Sequence, residues 1–395
     1  MSRVLYINGG VHGHINPTLP LVKELTGRGE EVFYFSTAQF KEKIIAVGAE
    51  FVDAGDKLTE FNRNYKPSGK HPFYLLIDFI LKNDRVMVPL ILEKAREIGV
   101  DYIIHDSIFG AGNMVARKLN VPAVCSCTSF AMNRLPIPPQ MLEPGFHPEL
   151  DALYEEISSA SREWGIPGLS IMDIFFKKSG LNIVFTSKEF QPEAGSFDDS
   201  FKFVGASIAE RQETCDFPVE ELAKGTVVYI SMGTINNDFA GFYRMCMEAF
   251  AETKFKAVLS VGQKTEIASL GRSPDNFIVR NYVPQLEVLR KTSVFISHGG
   301  LNSVNEALYF GVPVIALPRA NDQFMVSRQL SAMGAGLSLK MEDLTPQLLK
   351  ESVEKMIAED SYKAASARIG ESFRAAGGYK AAADHIQRSM EASKK

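Results

Sequence analysis

Long apolar runs, an excess of one charge and clustered cysteines are all missing from this chain of 395 residues. No stretch is long and apolar enough to cross a bilayer. The opening MSRVLYINGG is too short an apolar run for a signal peptide. Lys and Arg total 43 against 47 Asp and Glu, a formal charge of −4, which leaves no footprint for nucleic acid or an anionic membrane. The four Cys form no metal pattern. Two of them, Cys125 and Cys127, alternate along an expected strand, face one side and read as core thiols. A reduced, cytoplasmic protein is the expectation. There is one Trp, no short-period repeat and no low-complexity segment. What is present is a 45% hydrophobic composition over a length suited to two domains. The 27 Phe fit a core and equally an apolar pocket.

In chain order, residues 3–8 read as a buried parallel strand, short and continuously apolar. Gly9-Gly10-Val11-His12-Gly13-His14 is the turn after it. Asn16 is a natural N-cap with Pro17 at the first helical position, and Gly27 and Gly29 sit where that helix should end. Strands at 31–36 and 50–53 enclose a helix that runs to about Val47. This βαβαβ rhythm predicts a doubly wound sheet, whose sites lie beyond the carboxyl ends of its strands. His12 and His14 stand at one such end. Residues 57–71 are largely polar and read as a loop, 72–98 are helical by period, and 102–105 form a strand that leads into Asp106. That carboxylate is thus at a second strand end. After a strand at 121–127, residues 128–145 are aromatic, Met- and Pro-rich and irregular. They either wall a pocket for a flat apolar molecule or make a plain surface connection. Further strands fall at 182–186 and 201–205.

Residues 207–224 are polar, contain Pro218 and read as an interdomain linker. A second α/β series starts at Thr226, with strand VVYISMG, a helix from about Phe239 and a strand at 256–261. Ser231-Met232-Gly233-Thr234 ends its first strand in small donors. The stretch from Arg280 to Gln323 follows: a Pro-Gln turn, a strand at 293–297, His298-Gly299-Gly300, a helix opening at Asn302-Ser303, and a strand at 314–317 leading to Asp322-Gln323. Free N–H groups and the helix dipole make such a helix start an anion site. An ordinary βα turn would look the same in isolation. Tyr282, Gln285, Glu306, Asp322 and Gln323 around it add enough groups to hold a nucleotide and a sugar.

This stretch closely resembles the donor-binding signature of the family 1 UDP-sugar glycosyltransferases, the inverting enzymes of GT-B fold. It is nearest to the soluble bacterial branch that includes macrolide and flavonoid glucosyltransferases. The order of elements is similar along the whole chain. The resemblance implies an α/β protein of two Rossmann-like doubly wound domains facing a central cleft. These are an acceptor domain over 1–206, a linker over 207–224, a nucleotide-sugar domain over 225–376 and a helix over 377–395 crossing back to the first domain.

The family's catalytic base matches His14, within Gly13-His14-Ile15-Asn16-Pro17, and its partner carboxylate matches Asp106. An imidazole with a pKa near ~6.5 suits a base at neutrality, and the carboxylate would fix its tautomer and stabilise the imidazolium. His12 is a rival two residues away, outside the motif position. On the donor side Tyr282 stands where plant members have a Trp stacked on uracil, and a phenol ring also stacks; Val283 accompanies it. Gln285 and Glu306 match ribose contacts, and Asp322 with Gln323 the pair that reads sugar hydroxyls. Gly299-Gly300-Leu301 replaces the plant Cys-Gly-Trp. No Asp-x-Asp occurs, so a metal-clamped diphosphate is not expected. Ser231, Gly233, Thr234, His298, Gly300, Asn302 and Ser303 would hold the diphosphate instead. Phe79, Phe109, Phe130, Met132 and Leu135 are candidates for an apolar acceptor wall.

The resemblance therefore implies transfer of glucose from UDP-glucose, or another UDP- or dTDP-sugar, to a hydroxyl of a small lipophilic acceptor. It implies inversion, no metal and no cofactor beyond that co-substrate. The partners are small molecules, with no nucleic acid and no stable membrane insertion. Three alternatives differ in function: a glycolipid or cell-wall transferase at a membrane surface, a nucleotide-sugar binding protein without transfer, and an epimerase of the same fold. The net charge and the lack of a basic amphipathic helix count against the first, and His14 with Asp106 against the second.

Overall fold

The computed structural model describes residues 2–10, 12–67, 69, 71–109, 111–209, 216–233, 239–319 and 322–393. The chain divides into two units. One holds residues 1–185, 193–207 and 377–395, and the other holds 186–192 and 208–376.

In the first unit the strands are β1 (Arg3–Ile7), β2 (Glu31–Ser36), β3 (Glu50–Asp53), β4 (Tyr102–Asp106), β5 (Ala123–Cys127), β6 (Leu181–Val184) and β7 (Phe201–Phe203). They form a seven-stranded parallel sheet in the order β3-β2-β1-β4-β5-β6-β7. Val4 to Ile7 and Tyr102 to Asp106 are fully buried, as continuous apolar strands covered on both faces must be. The order reverses between β1 and β4, and a doubly wound sheet opens its crevice at the carboxyl ends of the strands flanking that reversal.

The second unit repeats the device. Its strands are β8 (Val227–Ser231), β9 (Lys256–Ser260), β10 (Phe277–Arg280), β11 (Val294–Ser297), β12 (Val314–Ala316) and β13 (Gly336–Ser338). All pair in parallel in the order β10-β9-β8-β11-β12-β13. The reversal lies between β8 and β11. The outer strands β10 and β13 and the short helix Gln285–Leu289 go beyond the expected elements; strands and helices this short carry little periodicity to read.

The helix Pro72–Ile98 has the expected ends, Pro72 in its first turn and Gly99 in the left-handed conformation after its last. It lays a stripe of Phe73, Ile77, Ile80, Leu81, Val88, Ile91 and Ala95 into the core. The helix Gly378–Ser393 belongs to the first unit, where Arg28 binds Asp384 at 2.6 Å and Gln387 at 3.0 Å.

Two expectations need correction. Residues 57–71 are not a continuous loop, because Asp56–Asn64 is a helix. Its few apolar groups suffice: Leu58 is buried, and Phe61 and Tyr65 pack with Phe79 at centroid distances of 5.6 and 5.1 Å. A mostly polar segment with one anchored face looks like a loop in sequence. Nor does Asn16 cap a helix starting at Pro17. Residues His12–Ile15 form a helical turn of their own, closed by Asn16 N–H to the His12 carbonyl at 3.0 Å. The next helix is Leu19–Gly27 behind Thr18, whose hydroxyl donates to the Ile15 carbonyl instead of capping. The helix expected at Asn302 begins at Leu301, within the ordinary uncertainty of a helix end. No described helix is long and apolar enough to cross a membrane.

Candidate functional site

Three strand ends of the first unit converge on one imidazole. His14 follows β1, and its turn is tied down by Asn8, whose Nδ2 donates to the His14 carbonyl at 3.0 Å. Its Nδ1 lies 2.7 Å from Asp106 Oδ2 at the end of β4. Thr128, the residue after β5, brings its hydroxyl to 2.9 Å from the same nitrogen and donates to Oδ2 at 3.4 Å. The other carboxylate oxygen, Oδ1, accepts the N–H groups of Ile108 and Phe109 at 2.8 and 2.7 Å. Asp106 is wholly buried while the His14 side chain keeps 16% exposure.

Burial pushes the Asp106 carboxyl up. The opposing charge and hydrogen bond of His14 and the two backbone N–H groups outweigh it and hold the group below the usual carboxylate range. An ionised carboxylate only accepts, so Nδ1 carries the imidazole proton and Nε2 keeps its lone pair. That arrangement fixes the tautomer and makes Nε2 the nitrogen able to take a proton. His12 instead packs edge-on against Phe40 at 4.7 Å, and burial with the nearby Lys43 charge lowers its pKa.

Of the apolar candidates, Phe109 stands edge-on to the His14 ring at 5.2 Å. Phe130 is buried, and Met132 and Leu135 are half-buried against the same core. Phe79 lies in the cluster with Phe61 and Tyr65.

In the second unit the ends of β8 and β11 enclose another histidine. A side chain on Gly233 would come within 2.7 Å of His298 Cε1, and one on Gly300 within 2.5 Å of Nε2. Only glycine lets both backbones close on the ring, and Gly233 also needs its φ of +84°. Burial lowers the His298 pKa to about 4, so the ring is a neutral donor near pH 7. Asn302 and Ser303 lie half-buried in the first turn of the helix Leu301–Tyr309, and Ser231 is buried at the end of β8. Thr234 falls outside the described residues.

One helical turn on, Glu306 is buried and accepts from Gln285 Nε2 at 2.6 Å. Gln285 Oε1 in turn accepts from the Tyr229 hydroxyl at 3.0 Å. Tyr282 is 49% exposed and Val283 is buried. Asp322 and Gln323 open the helix Asp322–Ala332, where Gln323 Oε1 accepts the Arg319 N–H at 2.9 Å. Among the described residues no group of three or more His, Cys, Asp or Glu is arranged to hold a metal ion.

Sequence reasoning missed Thr128 and Tyr229. The first was findable, since it is the residue just past a strand end beside Asp106. The second sits mid-strand in an apolar run, where nothing sets its hydroxyl apart.

Comparison with known proteins identifies the family. Residues 244–380 match the family described as erythromycin biosynthesis protein CIII-like, C-terminal domain. An uncharacterized UDP-glucosyltransferase of Bacillus subtilis, YojK, is 38% identical over 98% of this chain and 97% of its own. The NDP-glycosyltransferase YjiC of the same species is 32% identical over the same shares. Among solved structures, the calicheamicin glycosyltransferase CalG4 superposes with a TM-score of 0.84 at 26% identity, over 98% of both chains. The chain therefore belongs to the family 1 glycosyltransferases of GT-B fold, in their bacterial branch, and is a glycosyltransferase.

Proposed function

We propose that the protein transfers glucose from UDP-glucose to a hydroxyl of a small lipophilic acceptor of phenolic or macrolide type, with inversion and without a metal. The observation that carries this reading is the 2.7 Å contact of His14 Nδ1 with a buried, doubly N–H-bonded Asp106. In the reaction, Nε2 of His14 takes the proton of the acceptor hydroxyl as that oxygen bonds to the anomeric carbon. The bond from that carbon to the diphosphate breaks, and UDP leaves with the electron pair. Asp106 stabilises the imidazolium that results.

The second unit supplies the donor groups. The exposed Tyr282 ring stacks on the base beside Val283, and Gln285 and Glu306 take the ribose hydroxyls. His298, Ser231, Gly233, Thr234, Gly300, Asn302 and Ser303 meet the diphosphate with neutral N–H and O–H donors. Asp322 and Gln323 read the sugar.

Relatives named UDP-glucosyltransferase support UDP-glucose as donor; a dTDP-sugar is the variant to test beside it. The macrolide reading is supported by a relative named oleandomycin glycosyltransferase, 29% identical over 96% of this chain. Free Cys125, Cys127 and Cys246 suit a reducing cytoplasm.

The test is mass-spectrometric detection of product from UDP-glucose and dTDP-glucose against a panel of phenolic, macrolide and sterol acceptors, with excess EDTA in a parallel series. Glycosylated product from UDP-glucose, unchanged by EDTA and lost in His14→Ala, is expected. Turnover that collapses on chelation and returns with Mg²⁺ would refute the metal-free mechanism. More than a tenth of wild-type turnover in His14→Ala would remove His14 as the base.

A further inference from the structure

The apolar stripe of the helix Pro72–Ile98 contains one carboxylate. Asp84 is 1% exposed, in register with Ile77, Ile80 and Ile91, and its partner is the fully buried Lys177, with Nζ 3.2 Å from Asp84 Oδ2. Neither Asp84 oxygen has an aligned hydrogen-bond donor among the described residues, so this contact is one of charge. The Lys177 ammonium donates instead to the carbonyls of Ile108 at 2.7 Å and Ile174 at 3.0 Å. The backbone N–H of Lys177 donates to the Ser107 carbonyl at 2.7 Å.

These acceptors belong to particular peptide groups. The Ser107 carbonyl shares its peptide plane with the Ile108 N–H, and the Ile108 carbonyl shares its plane with the Phe109 N–H. Those two N–H groups are the ones that hold Asp106 Oδ1. A trans peptide is planar, so anchoring the carbonyl fixes the direction of the N–H on the opposite side. Bonding at the carbonyl also polarises that N–H as a donor. Both planes are thus gripped from behind by Lys177 and in front by Asp106.

A buried ion pair is a poor device for stability, since desolvation of each ion costs several kcal/mol and apolar replacements are often as stable. Asp84 instead sets a negative charge 3.2 Å from the Lys177 Nζ, on which the two carbonyl bonds of that nitrogen converge.

We propose that Asp84 and Lys177 are positioning residues: through the 107–109 peptides they hold the Asp106 carboxylate, and with it the His14 tautomer, in the geometry that catalysis needs. This rests on the reading of His14 as the base, and the experiment separates the two. In Asp84→Leu/Lys177→Met the charge pair is gone while the Lys177 backbone bond remains. Three quantities are measured: kcat, the calorimetric Kd for UDP, and the low-field proton resonance of the His14 Nδ1–H in ¹⁵N-histidine-labelled protein, assigned by its loss in His14→Ala.

The expected result is a cooperative thermal transition near the wild-type Tm, an unchanged Kd, a kcat lower by about 10- to 100-fold, and an Nδ1 proton signal shifted upfield or broadened away. If the double variant does not fold, Asp84→Asn carries the same readouts with a smaller change. A kcat within twofold of wild type and an unmoved Nδ1 signal, in whichever variant folds, overturn the proposal. Should His14→Ala keep its turnover while the Nδ1 signal still moves in the double variant, the base assignment fails and the positioning of Asp106 stands.

Discussion

The two units place histidines on opposite sides of the same strand-order reversal and then treat them in opposite ways. His14 follows β1 beside the reversal with β4, and His298 follows β11 beside the reversal with β8. Around His14 the chain assembles charge: a buried carboxylate, its two N–H donors and a hydroxyl, drawn from strand ends 92 and 114 residues away. Around His298 it removes side chains, so that Gly233 after β8 and Gly300 after β11 press backbone against a neutral ring. A general base needs one lone pair held in a fixed direction, which takes a partner charge. A diphosphate site needs many weak donors at close approach, which takes bare backbone. The division predicts that the same size of perturbation will damage catalysis in one unit and affinity in the other.

The largest effect belongs to the charge. Asp106→Asn presents an amide that donates where the carboxylate accepted, so the imidazole loses its tautomer. Turnover should drop by about 10²–10⁴ with the calorimetric Kd for UDP unchanged. Equal losses in kcat and in UDP affinity would erase the division between the units.

Next comes acid lability, which both units should share. Burial holds His105 neutral, against the raising effect of its bond to the Asp106 carbonyl, and lowers its pKa to about 4; burial alone does the same to His298. A folded pKa below the unfolded value of 6.5 means stability that is full above pH 6.5 and lost as the pH falls towards 4. The slope is about 1.4 kcal/mol per pH unit for each histidine, and the total is about 3 kcal/mol each as an upper bound. Asp106, also depressed, adds its loss only below about 3.8. Calorimetric Tm values from pH 7 to 4.5 should fall steadily; a flat Tm across that range would contradict the neutral buried rings.

Backbone closeness should matter next. Gly300→Ala places a methyl 2.5 Å from His298 Nε2, and overpacking of this kind costs about 1–3 kcal/mol. The loss should appear as roughly 10- to 100-fold weaker UDP binding, with the KM for acceptor unmoved. Normal UDP affinity in Gly300→Ala would show that the cradle is not the diphosphate site.

How far each site could be read in the sequence follows from the same contrast. Much of the second site is contiguous, so His298, Gly300, Asn302, Ser303 and Glu306 stand in one legible run, while Tyr229 and Gly233 come from β8 and the turn after it. In the first, His14 and Asp106 were legible as strand-end residues, but Thr128 and Lys177 join them only through sheet order. Asp84 did leave a trace, as a lone carboxylate in an apolar helical stripe, although its partner is on no neighbouring turn. The helix Asp56–Asn64 stayed hidden because tertiary packing of Leu58 and Phe61, not periodicity, defines it.

The smallest effect offers the sharpest comparison, because both units carry one stacked aromatic pair at the reversal strand. Tyr6 on β1 stacks on Tyr34 at 4.8 Å and donates its hydroxyl to Ser126 at 2.8 Å. Tyr229 on β8 stacks on Phe295 at 4.7 Å and donates to Gln285 Oε1 at 3.0 Å. Burial raises both phenols, so each is a neutral donor. The second hydroxyl orients the Gln285 amide. With Oε1 engaged, Nε2 faces Glu306 at 2.6 Å, whereas the flipped amide would set oxygen against carboxylate. Tyr229→Phe removes that preference, and a neutral hydrogen bond of this kind is worth about 0.5–1.5 kcal/mol. UDP binding should therefore weaken by roughly two- to tenfold through the proposed ribose contact, while kcat at saturating donor stays near wild type. Tyr6→Phe should lose a similar amount of stability in a thermal melt and leave UDP binding untouched. If Tyr6→Phe weakens UDP as much as Tyr229→Phe does, the hydroxyls serve only the packing of their sheets and the Tyr229–Gln285–Glu306 chain has no role in donor binding.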